Sequence, residues 1–284
     1  MKFFQKLLNK KTSNMVNGRP AYLCYGAYRY ILSGLMALVL LIIAGAYTQI
    51  TPLAAAISAL GALALTINLY CGLEALKSGA IVLTSLAGSA GLLLPCIIGI
   101  FLFDEPMSAW QFLGIGLLLI AAYLLIGYSK QLTGSFTPKT LLLLIGSMLS
   151  NGTIMVAQKM FSKYLPGTNA SVFSFLSFGI AGICMLLGFL ACIGGKDGKK
   201  ELPTLPPRLF AYGAVLSVAL LVINQLATIA GRVIPSAILF PINDGGGTII
   251  AAITAAVFFK EKLTVRSVCG LLLGIASLIV INLC

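Results

Sequence analysis

Residues 68–127, NLYCGLEALKSGAIVLTSLAGSAGLLLPCIIGIFLFDEPMSAWQFLGIGLLLIAAYLLIG, decide the fold, because residues 224–283, NQLATIAGRVIPSAILFPINDGGGTIIAAITAAVFFKEKLTVRSVCGLLLGIASLIVINL, run beside them at a constant offset of 156. In each stretch an apolar run ends in a short polar elbow and a second apolar run follows. The elbows Phe103-Asp104-Glu105 and Phe259-Lys260-Glu261 stand in the same register, as do Asn68 with Asn224, Gly91 with Gly247 and Gly114 with Gly270. Identities are few, and the ungapped pairing of elbows and flanking runs identifies a duplicated chain. The halves are read as 1–130 and 131–284.

Working outward, the 284 residues are 59% hydrophobic and only 9% charged, with a mean hydropathy of +1.03. Soluble domains carry about 25% charged residues. The composition therefore describes an all-α membrane protein in contact with the lipid bilayer, since continuous apolar runs span as helices. The formal charge of +12 sits between apolar runs and forms no patch interleaved with exposed aromatics, so nucleic acid is not an expected partner. With no histidine, seven acidic residues and seven scattered cysteines lacking metal-ligand spacing, neither an enzyme nor a metal or cofactor site is expected.

Nine spans are predicted, at 21–46, 53–76, 80–103, 109–128, 140–158, 170–193, 209–230, 236–259 and 267–284. Residues 194–208, rich in Gly, Lys and Pro, form a solvated loop. Gln5-Lys6-Leu7-Leu8-Asn9-Lys10 repeats the pattern of Gln158-Lys159-Met160-Phe161-Ser162-Lys163, which ends the helix at 140–158. Met1 then falls in the last turn of an equivalent first helix, and 140–158 has no pseudo-symmetric mate. The competing reading of 1–20 is an amphipathic interfacial helix. Small residues at Gly88 to Gly91, Gly114, Gly179, Gly182, Gly270 and Gly274 are expected to let helix backbones approach. Internal packing is the first reading of the 270/274 pair, and a homodimer contact the second.

Gly72-Leu73-Glu74-Ala75-Leu76-Lys77, the apolar run to Phe103, Asp104-Glu105 and Trp110-Gln111-Phe112-Leu113-Gly114 together resemble the EamA repeat of the drug/metabolite transporter superfamily. Phe259 to Thr264 followed by Gly270 resembles a second copy. The resemblance implies two EamA inverted repeats of five helices around a central cavity, with ten helices expected in the family, the first missing here, and transport by alternating access. An odd number of spans per repeat by itself forces the inversion.

Polar groups inside spans are costly and need partners or water. Asn151 and Gln158, seven apart, share a helix face. Ser217, Asn224 and Thr228 form a second stripe, and Asn68 is the repeat partner of Asn224. Interhelical hydrogen bonding and cavity lining are equally open for them. Glu74 and Lys77 suit an i,i+3 ion pair, and Glu105 and Glu261 suit capping of the helix that follows each. Asp244 lies about eight residues into its span, after Asn243 and before Gly245-Gly246-Gly247, where a loosened polar segment suits substrate or a coupling proton or cation. Asn243 and Asp244 are thus the centre of the expected binding site.

The function expected is a secondary transporter, an exporter of a small organic metabolite or drug, in the plasma membrane. The alternative is a non-catalytic membrane partner, such as a flippase-like subunit or scaffold that needs another chain. Lys and Arg fall almost wholly in alternate connections, with only Lys159, Lys163 and Arg232 in the others and Arg29 inside a span. The positive-inside rule then orients Met1 to the cytoplasm and Cys284 outside, whereas the family resemblance implies a cytoplasmic C-terminus.

Overall fold

The computed structural model describes residues 5, 8, 9, 12, 13, 15–77, 87–126, 137–194, 205–246, 249 and 265–282. Nine α-helices lie among them: α1 (Arg19–Ile43), α2 (Pro52–Lys77), α3 (Leu93–Leu102), α4 (Ala109–Ile126), α5 (Pro138–Tyr164), α6 (Ala170–Gly194), α7 (Pro207–Ala230), α8 (Ser236–Pro241) and α9 (Val265–Asn282). α1, α2 through Ala75, α5, α6 and α7 are long and apolar enough to cross a membrane by length and composition. Each predicted span contains one of the nine helices, so the all-α membrane architecture stands.

Local sequence sets the helix starts. Pro20, Pro52, Pro138 and Pro207 stand in first turns, where a missing N–H costs nothing. Thr51 Oγ1 accepts from Ala54 N, Thr137 Oγ1 from Thr140 N and Asn169 Oδ1 from Ser171 N, each satisfying one of the orphan donors of a first turn. α4 opens with a capping box: Ser108 Oγ accepts from Gln111 N at 3.2 Å, and Gln111 Oε1 accepts from Ser108 N at 3.1 Å.

Helices of the two halves pair with one another. α1 packs along α6, α4 along α9, and α2 along both α5 and α6. The small residues sit where backbones meet. A Cβ at Gly34 would stand 3.3 Å from Gly179 N, one at Gly182 3.0 Å from Ile31 N, and one at Gly114 3.1 Å from Ser277 O. Gly274 packs on Ile249 and Ala121, so internal packing explains it. Closest is the Gly91–Gly152 contact, where a Cβ on either glycine would come within 2.7 Å of a carbonyl oxygen of the other segment. It fixes how deeply the start of α3 sits against α5.

Two expectations are corrected. α5 runs to Tyr164, six residues beyond the expected end, because the next breaker is Pro166 and nothing earlier stops it. The span expected at 236–259 leaves α-geometry at Pro241: Ile242–Gly246 form a π turn, while most of residues 247–264 lie outside the described residues. Of the stretch 1–20, the described residues Gln5, Leu8, Asn9, Thr12 and Ser13 are helical. Thr12, Ser13 and Val16 are buried, and Val16 joins the core made by α1, α2, α6 and α7, while Asn17, Gly18 and Arg19 are exposed. α7 meanwhile leaves Val215, Val218, Leu226 and Ile229 exposed.

Candidate functional site

α5 is the helix on which the polar side chains converge. Toward its end Gln158 Nε2 donates to Asn224 Oδ1 at 2.7 Å, with both residues buried. Thr228 Oγ1 donates back to the Asn224 carbonyl at 2.8 Å, and Ser162 Oγ donates to the Thr228 carbonyl at 2.6 Å. Gln158, Asn224 and Thr228 therefore form one network between α5 and α7. Asn68, expected from the sequence offset to correspond to Asn224, also faces α5 but two turns and more away, donating to Ser147 O at 3.1 Å and Ser150 Oγ at 3.2 Å. Asn151 donates to Gly88 O at 2.8 Å, ahead of α3. The seven expected site residues are thus divided among three places on α5 and a fourth, the π turn.

That turn carries Asn243 and Asp244, both half-buried, with Gly245 buried against Leu118 of α4. A π turn widens the helix by one residue and concentrates at functional positions. Pro241 has no N–H to donate, which helps to loosen the segment. A small internal space opens beside Gly245, lined also by Ser89, Leu92, Leu118, Ala122 and Gly274.

Sequence reading missed the strongest polar contact. Asp104 adopts φ +50 at the end of α3, a left-handed conformation that Asp tolerates better than most residues, and this turns Glu105 inward. Glu105 Oε1 stands 2.6 Å from Lys159 Nζ, which also donates to Ile234 O at 2.8 Å. Glu105 Oε2 accepts from Ser236 N at 2.8 Å. The carboxylate therefore caps α8, in the other half of the chain, and not α4, which has its own capping box. Glu261, its repeat partner, lies outside the described residues.

Around this pair Lys163 Nζ donates to Phe103 O and Tyr164 OH to Leu102 O, placing a cation at the C-terminus of α3 where the helix dipole favours it. Arg232 donates to Thr168 O. One end of the molecule is thereby tied across α3, α5, α7 and α8. At the opposite end Glu74 Oε2 accepts from Tyr22 OH at 2.5 Å, so Glu74 joins α2 to α1; the Lys77 side chain of the expected i,i+3 pair lies outside the described residues. The signal for Lys159 was the missing breaker before Pro166. For the reach of Glu105 to α8 no local signal existed.

No group of three or more His, Cys, Asp or Glu among the described residues could hold a metal ion. No curated protein sequence matches the chain. Among solved structures that resemble it, one crystal structure superposes with a TM-score of 0.74 at 14% identity, covering 99% of this chain and 95% of the other, a likeness of fold alone. A model of the EamA-like transporter family matches residues 138–283. That match takes in half of the chain, including α5 and the helices that follow it, and with the apolar spans already described it establishes that this integral, multi-pass membrane protein belongs to the EamA-like transporter family.

Proposed function

We propose that the chain is a secondary transporter that exports a small organic molecule across the plasma membrane by alternating access between two inverted repeats, 1–130 and 131–284. The observation that carries this is the π turn at Ile242–Gly246, a break in backbone geometry that holds Asp244 half-buried and sets the next residue, Gly245, against a small cavity. Discontinuous helices of this kind offer backbone groups and an acid to a substrate or a coupling cation, and an acid at depth is retained against a cost of about 2.5–3.5 kcal/mol. Asp244 is the coupling acid in this reading and Asn243 its neighbour at the site. The Gln158–Asn224–Thr228 network, with Asn68 and Asn151, holds the helices that move past it.

The Lys159–Glu105 pair is read as the closure of one end. It joins α5 to the elbow after α3 and to the start of α8, so that end opens only when a buried ion pair separates. By the charge asymmetry of the connections this end faces outward, with the C-terminus outside. A reporter fused after Cys284 that is active only in the cytoplasm would overturn the orientation.

The central experiment is uptake into proteoliposomes by the purified chain and by Asp244→Asn, which keeps shape and removes charge. Loss of flux, or loss of its pH dependence, with unchanged folding supports the assignment. Unchanged transport by the variant makes Asp244 structural. Absence of flux for the wild-type chain across a broad compound panel favours the alternative, a membrane subunit that works only with another chain.

A further inference from the structure

Arg29 stands eleventh in the 25-residue α1, about 15 Å along a helix that rises 1.5 Å per residue. It is 3% exposed, and a guanidinium is a planar cation that presents five donors and no acceptor. Its described contacts are neutral. Nη1 lies 3.5 Å from Asn9 Oδ1, at the outer limit of a hydrogen bond. Cζ lies 5.5 Å from the centre of the Tyr25 ring, and Nε has no hydrogen-bond partner. Of the described carboxylates, Glu105 is taken by Lys159 and Glu74 receives Tyr22, and no ion pair reaches Arg29 among the described residues.

A second group points to the same place. α1 carries four buried or half-buried tyrosines, and three use their hydroxyls: Tyr22 on Glu74, Tyr28 on Phe210 O and Tyr30 on Leu65 O. Tyr25, fully buried and one turn before Arg29, is the exception, with its OH unpartnered. Gly213 of α7 lies against the Tyr25 and Tyr28 rings, where a Cβ would come within 2.9 Å of Tyr28 and 3.3 Å of Tyr25. Ser217 Oγ donates to Arg29 O at 3.0 Å, and Ser33 Oγ to Ser217 O at 3.2 Å. The seam between α1 and α7 is thus fixed by serine–carbonyl hydrogen bonds that leave Arg29 Nε and the Tyr25 hydroxyl unused.

Arg29 Nε and the Tyr25 hydroxyl, on one helix face, are both buried donors, and among the described residues neither has an acceptor. An oxyanion supplies what is missing, through charge-assisted hydrogen bonds that are roughly twice as strong as neutral ones. We propose that Arg29 and Tyr25 form a subsite for the acid group of the transported molecule, so that the cargo carries a carboxylate or a phosphate. This rests on the transport reading above and gives that reading a substrate class.

The test is thermal melting of the purified full chain in detergent micelles, titrated with sodium succinate or sodium phosphate at constant ionic strength against sodium chloride, with tetraethylammonium chloride as the cationic control. Succinate or phosphate, according to which acid group the site takes, raises the wild-type melting temperature, and the control does not. The shift is lost in Arg29→Gln and several-fold smaller in Tyr25→Phe. Without ligand, Arg29→Gln melts no lower than wild type, because a buried uncompensated charge has been removed. The proposal is overturned if neither anion acts, if chloride acts equally, if the shift survives Arg29→Gln, or if that variant without ligand is less stable or fails to fold, the mark of a structural cation. Counterflow in proteoliposomes separates the two readings. Anion binding through Arg29 with no flux of any compound overturns transport and leaves the subsite, whereas flux indifferent to Arg29→Gln does the reverse.

Discussion

Lys159 and Arg29 are both buried cations, 4% and 3% exposed, and their surroundings differ in kind. Lys159 has a carboxylate at 2.6 Å and a carbonyl at 2.8 Å, while Arg29 has one amide oxygen at 3.5 Å and the face of a ring. The first arrangement joins parts of the chain that are far apart in sequence. The second reaches only Asn9, at the outer limit of a hydrogen bond, while the neighbouring serines join α1 to α7. A buried charge whose partner is built in contributes to the fold, and a buried charge without one is a cost retained for a ligand. In the transport reading proposed above, the difference also separates closing an end of the protein from holding cargo between the ends.

The largest effect that would break this comparison is at the paired cation. Lys159→Met leaves the half-buried Glu105 carboxylate without its counter-charge, and its stability loss should approach the roughly 3–5 kcal/mol of a broken buried pair, measured by denaturation in micelles. Adding Glu105→Leu should recover most of that loss, because two apolar side chains replace a pair whose desolvation nearly cancels its attraction. A double variant as unstable as the single one would show that the pair is not what holds this end together.

A sharper comparison uses one glycine from the helix seam on which each cation's helix packs. Gly91→Ala drives a methyl to 2.7 Å from Met148 O, a backbone atom that cannot yield, and should cost about 1–3 kcal/mol. It should also be non-additive with Lys159→Met, since α3 leads into the elbow that carries Glu105 and α5 carries Lys159. Gly213→Ala meets tyrosine ring edges instead, and should cost less while weakening any anion-induced shift. Equal losses in stability would remove the distinction between a rigid end and an adaptable seam.

The smallest effect expected is at the repeat-related asparagines. Asn224→Ala strands Gln158 in a buried network, and should cost about 0.6 kcal/mol, up to about 1.7, the range found for membrane hydrogen bonds. Asn68→Ala should cost less, because Ser150 Oγ already donates to Gly146 O at 2.6 Å. Thermal unfolding of the two variants side by side decides the order.

The amino-acid sequence by itself determined the class, the positions of the helices and the family. Those follow from apolar runs of membrane length, from prolines and Ser, Thr or Asn at helix starts, and from elbows repeated at a fixed offset, all of which are local or periodic. It also marked Arg29 as a charge inside a span and Asp244 as an acid at depth, since cost in the membrane can be read from composition along the chain. Tertiary structure alone decided the partners. Glu105 looked like a cap for the helix beginning four residues later, yet it caps α8 and pairs with Lys159, because the left-handed turn at Asp104 and the Gly91–Gly152 contact bring three distant segments to one point. Likewise nothing in the tyrosines of α1 distinguishes Tyr25 from Tyr28 or Tyr30. Only the packing of α1 against α2, α6 and α7 gives two of them a carbonyl and leaves the third beside an unanswered charge. Hydrogen-bond and ion-pair partners depend on which backbones meet and at what depth, and that is a property of the assembled bundle, which no stretch of the chain carries by itself.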